Sequence, residues 1–400
     1  MDIFLKYLIF IIVAVIPFGI ERKVTIMDID VWITLSDVLI SLALLIWIYY
    51  KIKSNTINTL TTAPLLNLFA LLILTFLLSF VNAVNGYLIA KELIKFIVII
   101  GFYLLLVENA STKTLNAILN AICLTSFIIT VWFLIDFLNG RVEPDWQRLW
   151  FRGLVSPVHL NAMGMFLTIT IPINLSRFFN SRRNFIKFVF IISVLIQFVA
   201  LYLTFSRGAW IGATMALGAL AFFKYRLRGV LGLLLIVLVA LMISSLFISP
   251  ARLRGRFFSM FNPREFGIES RGHHMATAVK LIKSNPVLGI GLGNFKIAAK
   301  KYHNEELTEM AHNIFLHYAA EAGIISAVLL LIIFVKHFLN VFRIHGGLKD
   351  ERAGNVLLCA AIAFLGLTVT VQFGDPFIRG IKEYFFIVLS IPYILAGDKE

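Results

Sequence analysis

Charge and cysteine are both scarce in this chain. Only 14% of its 400 residues are charged, and just two are cysteine, Cys123 and Cys359. Both lie within apolar runs, which excludes a disulfide framework. No internal repeat or low-complexity linker divides the sequence. The first apolar segment lacks a small-residue cleavage site and runs into Glu21-Arg22-Lys23, so it reads as a retained span rather than a removed leader. What is abundant is hydrocarbon: 60% of residues are hydrophobic and 37 are Phe. A soluble core cannot hide that much apolar surface, so the chain reads as an all-α polytopic membrane protein.

A bilayer crossing needs ~20 apolar residues, and about twelve such stretches are present. They run near 4–20, 31–50, 64–83, 88–108, 114–138, 158–176, 185–205, 208–223, 229–248, 312–335, 354–373 and 381–396. The expected organisation is therefore nine spans in 1–249, a large loop at 250–311, and three spans in 312–400. Net charge is +14, but its distribution speaks against nucleic acid. Lys51 and Lys53; Arg177, Arg182, Arg183 and Lys187; Lys224, Arg226 and Arg228; and Lys336, Arg343, Lys349 and Arg352 occupy alternate ends of the spans. With both termini cytoplasmic, all of them fall inside, as the positive-inside rule asks.

The loop 250–311 carries ten Lys or Arg against five Glu and no Asp. Met275, Val279 and Ile282 recur at helical spacing within it, before Asn285-Pro286 stops the helix. An amphipathic helix at the outer membrane surface is expected there, and its cationic character suits an anionic ligand. The run 185–223 is too long for one crossing: as a single helix it would span ~58 Å. Both flanks are basic, so it must fold back at its one polar break, "SRGAW". That puts Arg207 at a hairpin tip on the outer face, with Gly208 and Gly212 spaced for close helix packing.

The candidate chemistry gathers on the same face. His312 opens an apolar segment and is suited to accept a proton; a helix cap is the alternative. Arg207 and Arg271 are candidate anion ligands, because guanidinium holds phosphate oxygens bidentately at any relevant pH. Lys91, Lys95, Arg148 and Arg152 are candidates for donor phosphate or for headgroup anchoring. Asn313 follows the histidine, and Asp375, in "GDPF" on the same outer face, is read as a cap of the last helix or as the histidine's orienting partner. His317 and Glu321, four apart, predict a structural hydrogen bond. Asp28 and Asp30 resemble a metal-binding Asp-x-Asp pair, though short acidic loops are common. "GIGLGN" at 289–294 follows no strand and lacks a Walker Lys-Ser/Thr, so it is not read as a nucleotide loop.

Three motifs in this order resemble the O-antigen ligase and polymerase superfamily of bacterial inner membranes. They are "SRGAW" (206–210), "SRG" (270–272) followed by "NPVLGIGLGNF" (285–295), and "AHNIFLHYAAEAG" (311–323). The resemblance implies a GT-C-type glycosyltransferase with a periplasmic active site. Its donor would be a glycan on undecaprenyl pyrophosphate and its acceptor a sugar hydroxyl of lipid A core. It further implies Arg207, Arg271 and His312 as essential residues, inversion at the anomeric carbon, and no metal or cofactor, which counts against Asp28/Asp30. Oligomeric state is not readable. The ligase branch is preferred because the chain is compact with one dominant late loop; a polymerase and a protein O-oligosaccharyltransferase are the runners-up. A secondary transporter is the rival from another class, but its ionisable groups would sit at the midplane.

Overall fold

The computed structural model describes residues 2–26, 29–56, 63–139, 150–152, 157–244, 255, 266–300, 310–374 and 381–397. Helices dominate. Chain order gives α1 (Asp2–Val15), a hairpin of β1 (Glu21–Ile26) and β2 (Ile29–Thr34), then α2 (Leu35–Lys53), α3 (Leu66–Leu78), α4 (Gly86–Asn109) and α5 (Thr112–Leu138). A second short hairpin, β3 (Trp150–Arg152) with β4 (Pro157–His159), leads into α6 (Leu160–Asn180), α7 (Asn184–Leu203) and α8 (Arg207–Ser244). The rest is α9 (Phe266–Ser284), α10 (Phe295–Ala299), α11 (Ile314–Ala322), α12 (Ile324–Gly347), α13 (Glu351–Thr370) and α14 (Ile381–Gly397).

Local chemistry explains where these helices start. Thr34 and Asp37 form a reciprocal capping box on α2, and Asn85, Ser111, Asn313 and Asp350 each accept a first-turn N–H on α4, α5, α11 and α13. Six helices among the described residues are long and apolar enough to cross a bilayer: α2, α5, α6, α7, α12 and α13. The apolar stretch from residue 31 enters its helix only at Leu35, because 29–34 pair as β2 with β1. The long α8 is two helices joined at Arg226, whose φ of 52° breaks the helical path.

Large apolar side chains face both inward and outward. Phe76, Phe102, Tyr103, Phe133 and Phe364 fill the interior, while Leu45, Phe185, Leu331 and Phe342 are exposed. An apolar outer surface is what lipid requires. Inside, Gln197 of α7 donates to Ser126 of α5 at 3.3 Å, and Thr170 of α6 donates to Gln197 at 3.1 Å. Asn174 donates to Ser126 at 3.2 Å. Such interhelical hydrogen bonds fasten helices that have no hydrophobic drive to associate within lipid.

Apart from these interior bonds, the polar contacts near the helix ends sort into two faces. On one, Lys51 pairs with Glu108 at 2.7 Å, Arg177 donates to Asn116, and Lys224, Asn355 and Asn180 form a hydrogen-bonded chain. On the other, Lys382 pairs with Asp37 at 2.7 Å, Asn313 donates to Gln372, and Asn85 bonds Asn294. No contact among these joins opposite faces, which is the pattern of helices running alternately up and down.

The tight fold-back at 204–206 is present. Phe205 takes a left-handed φ of 52°, Trp210 Nε1 donates to the Leu201 carbonyl at 2.9 Å, and α8 begins at Arg207. Gly208 and Gly212 do give close packing, and the partner is α13 with its C-terminal extension. A Cβ on Gly208 would stand 3.0 Å from Phe373, and one on Gly212 would meet Gly366 and Thr370.

The segment 312–335 is not one helix. It breaks at Gly323, where φ is 85° and a side chain would strike the Val287 carbonyl. The short α11 thus stands apart from the span-length α12, and the loop "GIGLGN" explains why. Ile290 and Gly291 donate their N–H groups to the Ala320 and Glu321 carbonyls at 3.0 and 2.9 Å. These are the C-terminal carbonyls that α11 leaves without intrahelical partners.

Candidate functional site

The site is assembled around the N-terminal end of α11. His312 is half-buried and adopts φ 55°, a left-handed conformation uncommon for a residue with a Cβ. Asn313 follows in an extended conformation; its Oδ1 accepts from Leu316 N at 3.0 Å, and its Nδ2 donates to Gln372 at 2.9 Å. The cap and the hydrogen bond to the end of α13 together pin the turn that presents His312.

A second wall comes from α9. This helix buries His274, Thr277, Ala278 and Leu281, and half-buries Arg271. Of the expected stripe of Met275, Val279 and Ile282, Ile282 packs against the buried face, Met275 is half-buried and Val279 is exposed. The physical reason is that α9 packs on α11 through a small separate core of Ala278, Leu281, Ile290, Phe295, Ala299, Ala311 and Ala320. Small residues at 278, 311 and 320 permit that approach, and hydropathy spacing alone cannot see them. On the packed face the His274 and His312 rings meet edge to face, 5.4 Å between centroids at 72°. Arg271 lies one turn before His274, on the same side of α9.

The third wall is the start of α8. Arg207 is 6% exposed. Its neighbour Gly208 packs on Phe373, the residue after Gln372 that holds Asn313. The chain therefore brings the tip carrying Arg207, the helix carrying Arg271 and the turn carrying His312 around the end of α13.

Other candidates lie elsewhere. Lys91 and Lys95 pair with Glu92 at 3.4 and 2.9 Å. Glu92 packs beside Gly293, at the far end of α11. Nine residues separate that end from His312, ~13 Å along a helix, so the structure does not bring these lysines beside the histidine. Arg152 lies in β3 opposite Pro157 and Asp30 in β2 opposite Thr25; Arg148, Asp28 and Asp375 lie outside the described residues.

Glu321 differs from expectation. Its carboxylate accepts Gly293 N at 2.7 Å and Phe295 N at 3.0 Å, whereas His317 Nε2 stands 3.6 Å away. Backbone donors, not the histidine, satisfy it. Sequence reasoning also missed His274 and Gln372. The Gly-His-His run at 272–274 was a signal for the first; nothing local marks the second.

By fold the molecule is a helical, polytopic membrane protein with its polar site at one end of the bundle. Residues 192–332 match the family model described as O-antigen ligase. The match covers roughly a third of the chain, supports the O-antigen ligase/polymerase superfamily, and contains Arg207, Arg271, His274, His312 and Asn313. No curated protein matches the chain.

Proposed function

We propose that this chain is an O-antigen ligase of the bacterial inner membrane, with about twelve spans in a GT-C-type arrangement. The observation that carries the reading is the convergence of His312, His274 and the Arg271 face of α9 at a half-open turn within the matched segment. The donor is a glycan on undecaprenyl pyrophosphate, and the acceptor is a sugar hydroxyl of lipid A core. His312 takes the hydroxyl proton as that oxygen attacks the anomeric carbon. The bond from carbon to the pyrophosphate oxygen breaks, undecaprenyl pyrophosphate leaves, and attack from the opposite side inverts the centre. Arg207 and Arg271 stabilise the charge that builds on the leaving group, the largest contribution in such transfers. Asn313, fixed by Gln372, holds the base in register.

Orientation follows from the loops. The basic clusters at Lys51, Arg177 to Lys187, and Lys224 lie on the face opposite His312. The positive-inside rule then assigns that face and both termini to the cytoplasm and the site to the periplasm. Residues 250–311 form the periplasmic loop between spans one to nine and ten to twelve.

The test is the lipopolysaccharide gel of a host lacking the protein. Bare lipid A core with long O-chains accumulating on the lipid carrier is expected. Core capped by one repeat unit and no ladder would mean polymerase, and an unchanged profile would sink both. A His312→Gln protein that inserts normally must fail to restore the ladder.

A further inference from the structure

We propose that Asn294 is a positioning residue for the histidine turn: it seats α11 on the corner between α3 and α4, and so sets where His312 stands relative to the membrane helices. The inference rests on the proposed role of His312. Asn294 is fully buried, and both ends of its amide are used. Its Oδ1 accepts from Asn85 N at 2.7 Å, while its Nδ2 donates to the Asn85 carbonyl at 3.1 Å and to the Leu292 carbonyl at 3.0 Å. Asn85 is extended, with φ −140°. One side chain thus pairs both backbone groups of the corner residue, as a neighbouring strand would. Aspartate cannot donate at this place, and leucine can neither donate nor accept.

The same loop meets the corner at further points. Ser79 Oγ accepts Leu292 N at 3.1 Å, and Asn82 Nδ2 donates to the Gly289 carbonyl at 3.2 Å. Gly291 lies so close that a Cβ there would stand 3.0 Å from the Cα of Ala83. On its opposite side the loop holds the C-terminal end of α11. Ile290 and Gly291 bond the Ala320 and Glu321 carbonyls, and Gly293 and Phe295 bond the Glu321 carboxylate. Tyr318, midway along α11, packs on Phe76 of α3 and Phe96 of α4. The second half of α11 is therefore seated on α3 and α4. Because α11 breaks from α12 at Gly323, it does not inherit the tilt of the span that follows. With the cap end pinned to Gln372, the seat of the other end sets that tilt. The helix is one short rod, so a displacement at Glu321 is carried ~13 Å to the turn bearing His312. Misplacing a reacting group by ~1 Å costs a transfer as much as ~100-fold.

The test uses Asn294→Ala and the milder Ser79→Ala, which removes only the bond to Leu292. Transfer is assayed in proteoliposomes with lipid-linked glycan extracted from cells lacking the protein and with bare lipid A core, and rates are normalised to monodisperse protein. Asn294→Ala is expected to lower kcat about tenfold with KM little changed. In a His312→Gln background the same substitution should cost nothing further, because the misplaced group is already gone; a loss of folded protein would instead multiply the two effects. Hydrogen exchange read by mass spectrometry in detergent needs no turnover. It should quicken in 289–295 and also at Leu316 and His317, whose N–H groups bond Asn313. Should Asn294→Ala not survive purification, Ser79→Ala carries the same comparisons with a kcat loss of about threefold. Wild-type kcat in the folded variant, faster exchange confined to 289–295, or effects that multiply with His312→Gln would each overturn the inference and leave the base intact. Full activity in His312→Gln alone would instead overturn the role of His312.

Discussion

The two ends of α11 are built on opposite principles. At its N-terminal end His312 is half-exposed, held on a left-handed backbone, and backed by another imidazole. At its C-terminal end Glu321 is 2% exposed and takes two backbone N–H groups, while Gly323 is pressed so close to Val287 that no side chain fits. One end spends conformational strain to present the histidine proposed as the base. The other uses a buried carboxylate to lock a glycine-rich loop. Two polar residues nine positions apart on the same short segment thus do different work, and backbone satisfaction tells them apart: Glu321 is consumed by N–H donors, whereas His312 meets a ring.

The sharpest way to break this contrast is to alter each end and read activity separately from stability. His312→Gln should cost ~10²- to 10⁴-fold in transfer, the usual worth of a general base, with an unchanged melting temperature. Comparable instability in that variant would erase the distinction. Glu321→Leu should do the reverse. It strands the Gly293 and Phe295 N–H groups at ~1–3 kcal/mol each, so the expected result is loss of folded protein in detergent size-exclusion. The smallest effect belongs to the support of the reactive end. Gln372→Leu removes the 2.9 Å bond to Asn313, worth ~1 kcal/mol. It should lower kcat several-fold while the melting temperature moves by a few degrees.

Much of the fold was legible because membrane insertion depends on local quantities. Apolar length marks the helices, and basic flanks at 182–187 and 224–228 force the fold-back at Arg207, since charges on both sides cannot be reconciled with a single crossing. The site was legible to the extent that its residues sit in motifs: His312, Asn313 and Arg271 are neighbours of the contacts described above. Lys91 and Lys95 pair with Glu92 near the Glu321 end of α11, and their separation from His312 is a tertiary fact that chain position does not show.

The break at Gly323 was not legible, since a single glycine within a helical pattern is also tolerated. It exists because the loop 285–295 comes back to take the carbonyls of Ala320 and Glu321. The pairing of His274 with His312 and of Asn313 with Gln372 joins positions 38 and 59 residues apart. The sequence alone determined which segments are apolar enough to leave water and where their charges must stay, because those are sums over neighbouring residues. The tertiary structure decided which face of α9 is buried, where α11 ends and what touches His312, because those depend on shape and hydrogen-bond partners supplied by distant parts of the chain.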